Sequence, residues 1–192
     1  NIRILATSCI RLRRFHSTLS GNEHNNLLWK HSEEAEYKPK LEDLLAASMK
    51  KDVKESDVIE SALTLKKILP GMLANRVKDL ESLPRPFHES GTISDIARLY
   101  RDSFAQILSA PSPDNLERAL SLSSMLEELK DQHLTVRELI GEALRDVRCT
   151  GDGEWTDRSG RLLYVDERGG LVQGLLYRFY AGRLGIRVSV YQ

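Results

Sequence analysis

The sequence has few cysteines and aromatic residues, no excess charge of either sign and no long apolar run. Cys9 and Cys149 form neither a disulfide framework nor a metal-ligand pattern, and they favour a reducing compartment. The 28 lysines and arginines balance the 28 aspartates and glutamates, so no basic field favours nucleic acid. No apolar run approaches the ~20 residues of a membrane span. With aromatics at 6%, the composition favours an all-α protein.

The usual signatures of catalysis are missing as well. No glycine-rich phosphate loop precedes a helix, no cysteine and histidine cluster has zinc-ligand spacing, and no Gly-x-Ser-x-Gly motif is present. Residues 151–153 (GDG) resemble part of a phosphate loop, but no lysine follows, and we interpret them as a solvated turn. We therefore predict no catalytic residue and no metal site in this chain.

The amino terminus has the composition of a targeting segment. Residues 1–22 carry four arginines and several hydroxyl groups, and no acid precedes Glu23. This composition predicts a mitochondrial presequence and hence the matrix; a disordered basic tail or a nucleic-acid arm are the alternatives. The polar residues 23–39 are predicted to be a flexible arm. Because the chain begins with Asn1 and stops within an amphipathic pattern, we expect a fragment truncated at both ends.

Apolar residues recur at helical spacing over residues 40–192 and predict a four-helix-bundle-like domain. A short helix is predicted over residues 40–49. Ser56 and Asp57 are predicted caps of a longer helix that reaches Leu83, with a kink or break at Pro70.

Three more helices are predicted after that. Thr92 is the expected cap of the next one, which ends before Pro111. Ser112 is the expected cap of a continuous helix whose apolar stripe reaches Val147. Residues 149–170 are predicted to be a surface insertion with a small hairpin around residues 162–165, and a last helix is predicted over residues 171–192.

Several polar side chains fall on stripes that are otherwise apolar. These are Tyr100, Ser103, Lys130, His133, Arg183 and Arg187. Taken singly, the histidine is a satisfied core residue, and the arginines form salt bridges or reach solvent. Taken together, they predict an anion pocket, because buried cations are costly without a partner and the last helix has no acid on that stripe. Arginine suits a carboxylate through its planar fork of donors.

Four segments together resemble the mitochondrial 2-oxoacid dehydrogenase kinases. Residues 69–76 (LPGMLANR) are similar to the family's Leu-Pro-x-Arg-Leu-Ala motif, and residues 99–104 (LYRDSF) to its Tyr-x-x-Ser-Phe helix. Residues 132–133 (QH) match its helical histidine, and residues 178–187 (RFYAGRLGIR) resemble its Phe-Tyr-x-Ser-Arg motif. Met72 and Lys130 stand where arginines are usual, and Gly182 replaces a serine.

The resemblance implies the amino-terminal regulatory half of a serine kinase that inactivates the E1 component of a 2-oxoacid dehydrogenase complex, pyruvate or branched-chain. It implies binding to lipoylated E2 domains and possession of a separate α/β ATPase-like half. That half, which is absent from this chain, would bind ATP and Mg²⁺ and form a homodimer. No cofactor is expected in this fragment. A non-catalytic lipoyl-domain adaptor and a purely structural bundle are the alternatives.

The resemblance also implies an effector pocket for a small 2-oxo acid. Its residues here would be Leu69, Tyr100, Ser103, Leu129, Lys130, His133, Arg183, Ile186, Arg187 and Val190.

Overall fold

The computed structural model describes residues 21–33, 54–88, 90–145, 147–149, 153–166 and 170–190. The helices are α1 (Gly21–Glu33), α2 (Glu55–Glu81), α3 (Arg85–His88), α4 (Gly91–Ser109), α5 (Leu116–Gln132), α6 (Val136–Leu144) and α7 (Leu171–Val190). The strands are β1 (Val147–Cys149), β2 (Glu154–Asp157) and β3 (Leu162–Val165). The predicted, mostly helical fold is confirmed. Within these ranges, no helix has the length and apolarity to cross a bilayer.

Helix α2 is the centre of the bundle and packs against α1, α4, α5 and α7. Its buried stripe includes Leu69, Leu73, Val77 and Leu80. The other helices bring equally buried residues against that stripe, among them Phe104 from α4. Each Å² of apolar surface that is buried stabilises the fold by about 25 cal/mol. This shared interior is therefore the main source of stability.

The break predicted at Pro70 is wrong, because α2 continues through this residue, while the predicted kink stays a prediction. A proline lacks the N–H that would bond the carbonyl one turn earlier, so the helix loses one bond there. Leu69, Met72 and Leu73 beside it are all 3% exposed or less, and their burial offsets that loss. The side chain of Lys66 donates to the carbonyls of Ala110 and, at 3.5 Å, Ile107, which ties this part of α2 to the end of α4.

The capping residues differ from those predicted. The N-cap of α4 is Ser90, not Thr92, and its hydroxyl accepts from the Ile93 N–H at 3.3 Å. The N-cap of α5 is Asn115, not Ser112, and its amide oxygen accepts from the Arg118 N–H at 2.9 Å. Several residues with capping chemistry precede each helix, and composition alone does not select among them. At the start of α2, Asp57 accepts from the Lys54 N–H at 2.9 Å.

The prediction of one long helix that reaches Val147 is wrong, because a turn at residues 133–135 separates α5 from α6. The stripe nevertheless continues, and Val136 and Ile140 are fully buried. The Arg183 guanidinium donates to the His133 carbonyl, and the His133 ring is bonded to Ser103. These tertiary contacts, which a local pattern does not contain, hold the turn.

The first part of the predicted flexible arm is the helix α1. Its Leu28 is 2% exposed, and its His31 ring meets the Phe104 ring edge-on at 5.7 Å. Burial of these side chains explains why a polar segment is ordered against the bundle. Residues 1–20 of the predicted presequence, residues 34–39 of the arm and the short helix predicted over residues 40–49 lie outside the described residues. The presequence stays a prediction.

The predicted insertion contains more than a hairpin. Its strands form an antiparallel sheet in the order β1-β2-β3, with Trp155 paired to Cys149 on one side and Tyr164 on the other. The Trp155 ring is buried and meets the Phe87 ring edge-on at 5.2 Å. Asp166 then accepts from the Leu171 N–H at 2.6 Å. The sheet is therefore fixed both to the bundle and to the start of α7.

The cap of α4 gives a first test of this fold. We expect Ser90→Ala to lower the free energy of unfolding by about 1 kcal/mol, because it leaves the Ile93 N–H without its acceptor. Ser94→Ala, at an exposed position inside the same helix, is the matched control and should leave stability unchanged or slightly raised. Urea unfolding followed by circular dichroism measures both, and equal effects of the two changes would contradict the assigned cap.

Candidate functional site

A cavity of about 40 Å³ lies between α2, α4, α5 and α7. Its lining residues are Leu69, Leu73, Tyr100, Ser103, Ile107, Leu126, Leu129, Lys130, His133, Arg183, Ile186 and Arg187. One water needs a cavity of roughly 10–15 Å³, so this space suits a few waters or one small organic molecule.

Nine of the ten predicted pocket residues line this cavity, and the side chain of Val190 lies outside the described residues. The prediction missed Leu73, Ile107 and Leu126. Each stands three or four residues from a predicted member of the same helix and so shares its face. Helical spacing from Leu69, Ser103 and Leu129 would have identified them.

The walls of the cavity divide into an apolar and a cationic part. Leucine and isoleucine side chains cover most of it, whereas Lys130, Arg183 and Arg187 bring three positive charges. None of the described residues that line it is acidic. Such a cavity fits a small molecule with one anionic group and a short apolar body.

The ring of His133 is held by two neighbours from α4. Its Nε2 lies 2.8 Å from Ser103 Oγ, and its ring meets the Tyr100 ring edge-on at 4.3 Å. The Ser103 hydroxyl donates to the Leu99 carbonyl at 2.9 Å, so the histidine N–H is the donor in the bond to Ser103. A histidine in this tautomer does not take a proton from the serine. The pair therefore orients the ring and does not form a nucleophile and its base.

Burial governs the protonation of His133. Burial, together with the smaller effect of the positive charge of Arg183, lowers the pKa of the imidazole to about 4. The ring is thus neutral near pH 7. A neutral ring can lie beside the arginines without adding a further positive charge.

Arg183 connects the cavity to the turn between α5 and α6. Its Nη2 donates to the His133 carbonyl at 2.6 Å and lies 3.4 Å from the Leu134 carbonyl. Its Nε is buried and has no hydrogen-bond acceptor in the described part of the chain. The guanidinium is therefore fixed by the turn while one donor stays unused. Arg187, one turn later, makes no ion pair within the same ranges.

Tyr100 presents a second unused polar group. The side chain is fully buried, and its hydroxyl lies near the Arg183 guanidinium without a well-directed hydrogen bond to it. Burial raises the pKa of the phenol to about 12, against the opposing charges of Arg183, Arg76 and Arg187. The phenol stays protonated and can donate to an anion. A buried donor without an acceptor is costly, and a bound carboxylate would relieve that cost.

The described residues offer no cluster of ligands for the Mg²⁺ that a kinase would use. They contain no group of three histidine, cysteine or acidic side chains able to hold a metal ion. The cavity is also much smaller than a nucleotide. We derive no step of phosphoryl transfer from this part of the chain.

The neutrality of His133 predicts a dependence of stability on pH. Its folded pKa of about 4 lies below the ordinary 6.5, so the unfolded chain binds more protons between these values. The neutral ring makes its full contribution to the free energy of unfolding above pH 6.5. That contribution decreases as the pH falls toward 4, by up to about 3 kcal/mol. We expect the difference in unfolding free energy between the wild type and His133→Asn to shrink over this range. A constant difference would contradict a buried, neutral His133.

The part of the chain that contains the cavity matches a known family. The family model described as mitochondrial branched-chain alpha-ketoacid dehydrogenase kinase matches residues 39–192. The match takes in helices α2 to α7, the three-stranded sheet and the whole cavity. It confirms the kinase family that the sequence motifs resemble. This chain belongs to the mitochondrial branched-chain alpha-ketoacid dehydrogenase kinase family.

Proposed function

We propose that this chain is the regulatory half of a mitochondrial matrix serine kinase, and that its cavity binds a small 2-oxo acid as an allosteric effector. The observation that carries the effector role is the cavity itself, where buried donors of Tyr100 and Arg183 lack acceptors among the described residues and none of the described lining residues is acidic. The family match supports the kinase activity and the mitochondrial location. The presequence predicted from the first 22 residues supports the matrix.

The family description favours the branched-chain complex over pyruvate dehydrogenase as the target. We propose that the longer protein phosphorylates a serine of the branched-chain E1 component and docks on lipoylated E2 domains. ATP and Mg²⁺ would act in a separate α/β half, through which two copies would pair. The part described here would then control that activity without taking part in the chemistry.

The chemistry of the cavity favours a monocarboxylate over a larger or more highly charged anion. Arg187 and the free Nε of Arg183 offer donors for one carboxylate, and the Tyr100 hydroxyl offers a third. Leu69, Leu129 and the other apolar walls suit a short hydrocarbon body. A branched 2-oxo acid has both parts.

Arg187 is the most informative residue for testing this proposal. We expect 2-oxoisovalerate to raise the melting temperature of the wild type, equivalent to about 2–3 kcal/mol at a ligand concentration about a hundredfold above its dissociation constant. Arg187→Ala should abolish that rise, because it removes a positive charge and its hydrogen-bond donors from the wall of the cavity. Differential scanning fluorimetry measures both.

Arg98→Ala is the matched control, because Arg98 is exposed on α4, does not line the cavity and forms a surface ion pair with Asp95 at 2.6 Å. It should keep the full ligand-induced rise. Isopropyl methyl ketone, which has the same branched body and no carboxylate, should not stabilise any variant. An equal rise for wild type and Arg187→Ala would remove the cavity as the binding site.

The kinase activity needs a separate test. We expect the longer protein that contains this chain, given ATP, Mg²⁺ and branched-chain E1, to transfer phosphate to a serine of E1 and to lower dehydrogenase activity. Mass spectrometry of E1 locates the phosphate, and pyruvate dehydrogenase E1 serves as the comparison substrate. If no phosphate is transferred but lipoylated E2 binds, the chain is the non-catalytic adaptor; preferential phosphorylation of pyruvate dehydrogenase E1 would refute the branched-chain target.

A further inference from the structure

Helices α2 and α7 approach each other closely at two glycines of α7. The Arg76 guanidinium lies over Gly182 so closely that a Cβ atom there would overlap it. A Cβ atom on Gly185 would stand 3.2 Å from the Cε of Met72. Met72 and Arg76 are four residues apart on α2, and the two glycines are three residues apart on α7. The ridge of side chains on α2 therefore packs into the groove that the glycines leave on α7. The glycines thus allow a short distance between the helices.

Arg76 is fixed in this position by contacts on both helices. It is 2% exposed, and its Nη2 lies 3.2 Å from the carboxylate of Asp79. Its Nη1 donates to the carbonyls of Arg178 and, at 3.2 Å, Phe179. Displacing a buried, paired guanidinium would leave charged and polar groups without partners. A larger residue at position 182 would therefore loosen the contact and move α7 away from α2.

The same two helices form facing walls of the cavity. Leu69 and Leu73 belong to α2, one turn or less from Met72 and Arg76, while Arg183 follows Gly182 directly on α7. The separation of the two helices beside Gly182 is thus also the separation of these walls. A change of a few tenths of an ångström there alters a volume as small as 40 Å³ appreciably.

We propose that the contact between Arg76 and Gly182 sets the width of the cavity and restricts it to small carboxylic acids. Arg76 acts here as a positioning residue. Its charge is paired with Asp79 and its donors reach the α7 backbone. The inference rests on the proposed function, since it assumes that the cavity binds an acid.

The experiment compares two acids of different size on the whole chain. Isothermal titration calorimetry gives the dissociation constants of 2-oxoisovalerate and of the bulkier phenylpyruvate. We expect the wild type to bind the smaller acid more tightly. In Gly182→Ala the ratio of the two constants, large acid over small acid, should fall on the order of 10-fold, because a wider cavity admits the ring. A selectivity ratio does not change through lost stability alone.

Gly174→Ala is the matched control on the same helix, because a Cβ atom there meets nothing closer than Arg178 Nη1 at 4.0 Å. Gly174→Ala should therefore keep the wild-type ratio of the two dissociation constants. In the double variant Arg76→Met with Gly182→Ala, the slimmer, uncharged side chain makes room for the new methyl group, so the ratio should return toward the wild-type value. If Gly182→Ala fails to fold, Gly185→Ala replaces it and should lower the ratio by a smaller factor, since Met72 is more easily displaced.

The outcomes separate this inference from the proposed function. A folded Gly182→Ala that binds both acids with the wild-type ratio would overturn the width-setting role and leave the effector site intact. A double variant that keeps the lowered ratio would also overturn it, because the effect would then not pass through Arg76. If the wild type binds neither acid, the effector site and this inference both fail.

Discussion

The position of Arg183 inside the bundle is the constraint on which the rest of the site depends. A guanidinium in an apolar interior needs acceptors, and here two backbone carbonyls at the turn between α5 and α6 provide them. That solution has two consequences. It accounts for the turn that divides what would otherwise be one helix, and it leaves the buried Nε without an acceptor in the described part of the chain. The turn and the polar end of the cavity both depend on this one partly buried charge.

The bundle could be predicted from the sequence because its helices carry continuous apolar stripes. Residues such as Leu69 and Phe104 recur at helical spacing and are buried as expected. The pocket could be predicted because polar residues lie on those apolar stripes. The family motifs then indicated which of these residues, from different helices, belong to one pocket. Most of the cavity lining follows from these two sources together.

The features that escaped prediction depend on contacts between distant segments. The order of α1 comes from Leu28 and His31 packing on the bundle, which a polar composition conceals. The sheet comes from β1 pairing with β2 and from Trp155 meeting Phe87, a residue far away in the sequence. Gly182 was noted only as a departure from the family's serine, and its neighbour Arg76 shows what occupies the freed space.

The bond between Asp166 and the Leu171 N–H also determines how the chain tolerates changes in length. Residues added in the exposed connection between β2 and β3, around Ser159, lie outside the segment that links this bond to α7. A single residue removed between Asp166 and Leu171 has a different effect. If Asp166 then bonded the next N–H along the chain instead of that of Leu171, α7 would turn by about 100° around its axis, since an α-helix has 3.6 residues per turn. This bond therefore couples the insertion to the rotational phase of the helix that carries both arginines.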